Sequence, residues 1–481
     1  MTKKDSEFSV LPEHLFSASR RARQLGSTDV VQRQSERRAT GRPVIVDEKY
    51  LLRASKANES TPEDATSLSW LFLLGIAALT MLVRVAYMIV FESWNFKDEW
   101  AFGYEMGRIG QWLADGKGFT LNGSTPTAKF PPLYPLFVGG FFYLFGSFTK
   151  AAAVSLFVFQ SVCSALIAVC LASLGSRLLG RTTGIIAGLI WAFYPASIFY
   201  SVVRIWYCEL ALLLVLSVTL IAVTTGFSPT FRRIAIIGAL SGLTVLTDST
   251  MVIYLPFLLI WMLFARRVQW RRLIGLAAVW MITAGVVTGP WIVRNWLQLG
   301  SPVLLKSNLG SELLFGTETD GRRKIFRELD QNELKYYRGQ SEVAYNRYLR
   351  SQALERIRQN PIEFLSATAR RFGQFWVINP KVGSESFLRL AYFGPLLLLA
   401  LYGIYVSRKF RWQLGPLWLF LLIYPLPYYV MHVDHGRYSY PVEPFVVLLA
   451  AACLAAWAAR YSAPDNALET IAKIKLQAEN S

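Results

Sequence analysis

Two stretches limit what this chain can become: Trp70 to Phe91 and Phe387 to Val406. Each is about 20 residues of nearly unbroken apolar side chains, the length of helix that crosses a hydrocarbon core of about 30 Å. Backbone amides and carbonyls find no water there, so only a helix or a closed barrel can cross. The period-two alternation of barrel strands is absent, which leaves helices. Further apolar runs place spans near residues 69–91, 150–175, 182–200, 207–226, 233–247, 250–265, 272–291, 387–406, 414–430 and 440–459. Only 17% of the residues are charged, against about 25% in a soluble domain. The fold class is therefore an all-α polytopic membrane protein.

The formal net charge is +18. It comes in short clusters between spans: Arg177 with Arg181, Arg232-Arg233, Ala265 to Arg272, and Ser407 to Trp412. A nucleic-acid module would gather such charge on one soluble face. Scattered between spans, it marks cytoplasmic loops. The spans then come in pairs. The opposite, outward loops hold Asp98, Tyr207 with Glu209, Asp248, the segment 292–386, and Met431 to Pro441. Residues 131–147 are apolar but break the pairing, and they read as a short re-entrant or interfacial element. Cys163, Cys170, Cys208 and Cys453 lie in or beside apolar runs without metal-ligand spacing, as packing residues do.

Residues 1–67 are polar and arginine-rich, carry no signal peptide, and are expected to form a disordered basic cytoplasmic tail. Residues 68–460 form the membrane domain, with an outer loop at 92–130 and a longer one at 292–386. A short cytoplasmic tail, 461–481, follows. Within the long loop, Ser341 to Asn360 has helical periodicity with many charges. Pro361 to Trp376 reads as an amphipathic helix lying on the membrane.

Ionisable groups at the ends of apolar helices are functional candidates. Asp98-Glu99 lies just beyond the first span. An acidic pair there suits a helix N-terminus, and a carboxylate there can also serve as a base. Lys129 precedes Pro131-Pro132, a stiff, extended entry to the membrane. Arg294 follows Pro290-Trp291, where a guanidinium can anchor a headgroup or grip a phosphate with two bonds. Arg437 and Tyr438 sit at the mouth of the last span. His432, Asp434 and His435 crowd beside them, without diagnostic metal spacing. Glu209 and Asp248 each stand at the end of an apolar run. Arg84, inside the first span, needs a partner or must snorkel outward.

Taken in order, Arg84, Asp98-Glu99 with Tyr104 and Gly116, "K…PPLYP" from Lys129, "YP…YS…E" (Tyr194 to Glu209), "PWxxRNxxxxG" (Pro290 to Gly300) and "GRYxxPxxP" (Gly436 to Pro444) resemble the family 39 glycosyltransferases. This is the bacterial branch related to protein O-mannosyltransferases and to the lipid A aminoarabinose transferase. The resemblance covers roughly residues 70–460. It implies a GT-C type fold of about ten to eleven transmembrane helices with outward-facing loops. It also implies transfer of a sugar from a polyprenyl-phosphate donor, undecaprenyl phosphate in a bacterium, to an acceptor hydroxyl outside the inner membrane. The resemblance makes Asp98 the catalytic base, with Glu99 supporting it, and gives inversion by a single displacement. Lys129, Arg294, Arg437 and Tyr438 fall where the lipid phosphate is held. Glu209, Asp248 and His435 fall on the acceptor cavity. No cofactor or metal is assigned, and a divalent ion stays open. Two departures stand out: Asp248 where relatives carry a basic residue, and Phe130 between Lys129 and the prolines. Protein hydroxyls, lipid A, another glycan or a cell-wall polymer all fit as acceptor. The rival reading is a transporter or flippase of a lipid-linked glycan without transferase activity. Such proteins show internal repeats and broken helices, and neither is visible in the sequence.

Overall fold

The computed structural model describes residues 68–96, 99–225, 229–265, 268–317, 341–377, 384–410, 412–431 and 436–459. The expected tails, 1–67 and 461–481, lie outside the described residues, as do Asp98 and His435. Among the described residues the regular secondary structure is helical, with one isolated β-bridge between Thr120 and Pro126.

The helices run in this order: α1 (Trp70–Val90), α2 (Glu105–Ala114), α3 (Leu133–Phe145), α4 (Lys150–Leu179), α5 (Arg181–Phe193), α6 (Pro195–Val202), α7 (Cys208–Thr224), α8 (Phe231–Thr247), α9 (Tyr254–Ala265) and α10 (Trp270–Leu299). Then come α11 (Leu309–Gly316), α12 (Glu342–Gln359), α13 (Pro361–Trp376), α14 (Ser384–Val406), α15 (Gly415–Ile423) and α16 (Leu426–Val430). The last helix, α17, lies within Gly436–Ala459. Among the described residues, five helices are long and apolar enough to cross a bilayer: α1, α4, α10, α14 and α17. The bent pair α5–α6 makes a sixth, and shorter apolar helices add Leu133–Phe145, Cys208–Thr224, Ser249–Ala265 and Gly415–Val430. The chain is thus a multi-pass helical membrane protein. Residues 131–147, expected as a re-entrant or interfacial element, form the 13-residue α3.

Two departures from the sequence reading have clear physical causes. The span expected at 182–200 is broken at Tyr194, where α5 and α6 diverge by 52°. The broken helix that the sequence reading found absent is thus present, and its absence no longer counts against the transporter reading. Pro195 opens α6 and forces Tyr194 out of helical geometry to ψ 122°. The break frees carbonyls in a region without water. Arg84, fully buried in α1, supplies the donors: Nη2 to Trp191 O at 3.1 Å and Nη1 to Ala192 O. Nη2 also reaches Ser164 Oγ at 3.1 Å and Ser197 Oγ at 2.6 Å. The arginine therefore finds partners inside the bundle and does not snorkel. The second departure is α10, expected to end near residue 291. It continues through Pro290 to Leu299, 30 residues in all. At 1.5 Å per residue that is about 45 Å, against a hydrocarbon core of about 30 Å. The excess puts Trp291, Arg294 and Asn295 clear of the span, among the loops.

The core is one apolar cluster shared by α4, α5, α7, α8, α9, α15 and α17. A second cluster packs α2, α3 and the start of α4 around Phe102, Phe142 and Phe157. Lipid offers apolar contact everywhere, so helix pairing relies on close fit at small residues. The α4–α5 contact shows this: a Cβ on Gly184 would collide with the carbonyl oxygen of Ala172. Gly184→Leu is expected to destabilise the bundle by roughly 1–3 kcal/mol or more. Gly285→Leu, on α10 with nothing within 4 Å of its Cβ position, is expected to be close to neutral. Thermal unfolding of the two variants in detergent separates them, and equal melting temperatures would refute the packing account.

Candidate active site

Five loops converge on a cavity of about 200 Å³. The segment between α1 and α3 supplies Glu105, which opens α2, and Lys129, which follows it; the link from α6 to α7 supplies Trp206 and Tyr207. The α8–α9 corner supplies Asp248, and the segment after α10 supplies Lys306 and Glu312. Tyr428, Arg437 and Tyr438 close it from the C-terminal side. These are the five loops that charge patterning assigns to one face. Each of them contributes to the same cavity, so they share one end of the bundle.

Local sequence explains each arrival. The 3-10 turn Glu99–Phe102 is fixed by Ile205 N–H donating to Ala101 O at 3.0 Å. Gly103 then takes φ +71°, and a Cβ there would stand 2.7 Å from Ile205 O, so only glycine fits. Tyr104 follows at φ 43°, a conformation that costs a non-glycine residue roughly 1–2 kcal/mol. Strain of this kind gathers at functional sites. It reverses the chain so that α2 starts with Glu105 on the cavity wall. The Arg108 guanidinium lies 4.2 Å from the Tyr104 ring centre.

The extended end of α10 holds the loop that leads to Lys129. Arg294 donates to Phe119 O at 2.9 Å, Thr127 O at 2.7 Å and Asn295 Oδ1 at 3.0 Å. Trp291 Nε1 donates to Leu305 O at 2.8 Å, and Asn295 Nδ2 to Val303 O at 2.9 Å. The "PWxxRN" motif is thus a backbone clamp. Arg294, expected to grip a phosphate, is engaged in these bonds and is not among the residues that line the cavity. The link after the broken helix is held by Gln160 in α4. Its Nε2 reaches Tyr200 O, Ser201 O and Arg204 O at 2.9–3.1 Å, and its Oε1 accepts from Trp206 N–H at 2.9 Å.

Asp248 caps the 3-10 turn Ser249–Ile253 by accepting from Thr250 N–H at 2.9 Å. Burial pushes its carboxyl above the ordinary range, while the Thr250 bond and nearby Lys306 pull it back. Arg437 is flanked by the rings of Trp206 (4.5 Å) and Tyr438 (4.7 Å) and donates to the Tyr438 hydroxyl at 2.7 Å. Its Nε is buried with no hydrogen-bond partner among the described residues. Three cations, Lys129, Lys306 and Arg437, thus face three carboxylates, Glu105, Asp248 and Glu312, between aromatic walls. Such a lining can hold an anionic group and the hydroxyls of a polar ligand at once.

The structure therefore brings together Lys129, Asp248, Arg437 and Tyr438 of the sequence candidates. Glu209 is elsewhere. It is fully buried at the head of α7, where Tyr440 OH donates to Oε1 at 2.5 Å. Expected on the acceptor cavity, it is not among the residues that line this one. Glu99 lies in the turn that leads to Glu105, and Asp98 and His435 are outside the described residues. Among the described residues no three His, Cys, Asp or Glu side chains converge to hold a metal ion. Glu105, Lys306 and Glu312 escaped the sequence reading. The one available signal was a lone lysine in the apolar stretch "PVLLKSN".

Residues 129–293, roughly a third of the chain, match the family described as dolichyl-phosphate-mannose-protein mannosyltransferase. Curated proteins give no match. Two crystal structures of the oligosaccharyltransferase of Archaeoglobus fulgidus are similar in fold, one in the apo form and one tethered to an acceptor peptide containing the NVT sequon. Each aligns over 83% of this chain at 14% identity with a TM-score of 0.50, covering 53% and 51% of the respective partner chain. The chain thus spans about half the length of these structures. The likeness is one of fold, the GT-C type architecture that the sequence resemblance implies.

The position of Asp248 gives a pH prediction. Its folded pKa is raised above an unfolded value of about 3.9. Below that value the group is protonated in both states and contributes nothing. As pH rises through the folded pKa, the buried carboxyl must ionise, and stability is lost. Asp248→Asn keeps the acceptor for Thr250 and removes the charge. Its melting temperature is expected to gain on the parent between pH 4 and pH 8. A difference that stays constant, or reverses, would contradict this placement.

Proposed function

We propose that this chain is an integral membrane glycosyltransferase. It moves a sugar from a polyprenyl-phosphate donor to an acceptor hydroxyl, on the periplasmic side of a bacterial inner membrane. The observation that carries the reading is the cavity: Lys129, Lys306 and Arg437 meet at one end of an apolar bundle, with carboxylates opposite them. The match to a dolichyl-phosphate-mannose family begins at Lys129 itself, and the fold likeness to an oligosaccharyltransferase supports the same class.

The reaction is a single displacement. The acceptor oxygen attacks the anomeric carbon and forms the new glycosidic bond. The bond from that carbon to the phosphate oxygen breaks, which inverts the centre and releases the polyprenyl phosphate. The acceptor proton passes to the carboxylate of Asp98. In sequence Asp98 immediately precedes the turn Glu99–Phe102, and Glu105 lies six positions after the turn begins, on the cavity wall. The leaving phosphate gains negative charge in a partly dry site. Fixed cations there stabilise it without reorganising, and Lys129, Lys306 and Arg437 have that role. Arg437, half-buried between two rings and with its Nε–H lacking a hydrogen-bond partner among the described residues, gains most from an anionic partner.

Three measurements test the proposal. Asp98→Asn, which keeps size and removes the base, is expected to lower turnover by roughly 10²–10⁴-fold with folding intact. Glu99→Gln is expected to cost less. Arg437→Ala is expected to reduce turnover more than Arg347→Ala, a change on α12 at a residue outside this cavity's lining. Near-parental activity in Asp98→Asn would sink the mechanism. Activity with a soluble nucleotide sugar and none with a lipid-linked sugar would sink the donor assignment.

A further inference from the structure

Glu342 is the first residue of α12, and a glutamate there ordinarily serves the helix dipole. The residue is only 7% exposed, and its carboxylate bonds to loops far away in the chain. Thr127 Oγ1 donates to Oε2 at 2.5 Å, and Ala128 N–H donates to Oε1 at 2.9 Å. The Ser307 hydroxyl donates to the same Oε1. The two loops are also joined to each other, Ser307 N–H donating to Ala128 O at 2.9 Å. Lys129 N–H extends the chain of bonds by donating to Thr127 Oγ1 at 3.1 Å. One buried carboxylate therefore fixes two backbone segments, and the residue adjoining each anchor is a cavity lysine: Lys129 after Ala128, Lys306 before Ser307.

We propose that Glu342 is a positioning residue. It sets the spacing and direction of Lys129 and Lys306 so that the two ammonium groups engage one lipid phosphate together. This rests on the lipid-phosphate reading above. Two lysines on separate loops repel each other and lose side-chain freedom when they converge. A shared anionic anchor beneath their backbones holds the loops in register before the ligand arrives, and such preorganisation lowers the cost of binding. Dipole stabilisation alone needs no contact with residues 127, 128 or 307.

The test is a double-mutant cycle on the dissociation constant of undecaprenyl phosphate, measured calorimetrically with the full chain in detergent. The four proteins are the parent, Glu342→Ala, Lys129→Ala/Lys306→Ala, and the combined triple variant. Glu342→Ala is expected to weaken binding about tenfold in the parent and by less than about twofold in the lysine-free background, because coupled residues are non-additive. Glu342→Gln, whose carbonyl still accepts from Ala128 and Ser307, is expected to recover most of the affinity. Equal losses in both backgrounds, no loss in either, or a parent that does not bind the lipid would each overturn the proposal. If Glu342→Ala fails to fold, Ser307→Ala removes one anchor and completes the same cycle. Turnover is read separately. A parent that binds the lipid with this coupling but transfers no sugar refutes the glycosyltransferase reading and leaves the positioning role standing.

Discussion

The structure depends on one broken helix inside the membrane. Pro195 ends the helical path that α5 had begun, and the carbonyls of Trp191 and Ala192 lose their partners where no water can replace them. Arg84 from the first span takes both, along with two serine hydroxyls. Trp191 O also accepts from Tyr194 N–H and from the Ser197 hydroxyl, so the guanidinium matters most for Ala192 O, whose loss of a partner in a low-dielectric interior would cost a few kcal/mol. With it, the bend becomes an asset. It sends the chain out of α6 into the link held by Gln160, and this link presents Trp206 and Tyr207 to the cavity. Neighbouring polar contacts secure the same region from the other side: Tyr440 on Glu209, and Tyr194 with Arg389 on Glu443.

Above the bundle, irregular backbone must be held without the help of a sheet. Helix α10 does this by overrunning the bilayer and offering Trp291, Arg294 and Asn295 as donors to loop carbonyls. Glu342 accepts from the opposite side of the same loop. The 119–131 segment is thus gripped between a cationic clamp and an anionic one, and Lys129 emerges from it. The strained turn at Gly103 and Tyr104 brings Glu105 to the facing wall. Cations and carboxylates held on rigid supports in a confined space produce a strong, directed field, which favours charge that develops in a reaction over charge already solvated.

Much of this was legible in the sequence. Apolar run lengths gave the helical membrane class, and the arginine clusters grouped the five loops that meet at the cavity. The short motifs single out Lys129, Asp248, Arg437 and Tyr438, which the fold gathers at one cavity. They single out Arg294 and Glu209 equally, which the fold places elsewhere, because a motif records that a side chain is needed and not what it touches. An arginine beside an interface looks the same whether it grips a phosphate or three carbonyls. The break at Tyr194 was hidden because a proline near the end of an apolar run also marks an ordinary span terminus. Lys306 and Glu342 lay in the long segment 292–386, where no periodicity singles out a residue. Glu342 meets Thr127 across 215 positions of sequence, and only the fold brings them together.

The central claim is that a lipid phosphate binds between the five loops. It is tested most directly by photo-crosslinking with an undecaprenyl phosphate analogue that carries a diazirine beside the phosphate, followed by peptide mapping. The account predicts labelling on the cavity wall, at Phe130, Lys306, Trp206 or Tyr438, with competition by unlabelled lipid phosphate. Competed labelling confined to the groove at the α4–α5 turn, around Arg181 and Ser407, with none on the cavity wall, would contradict it.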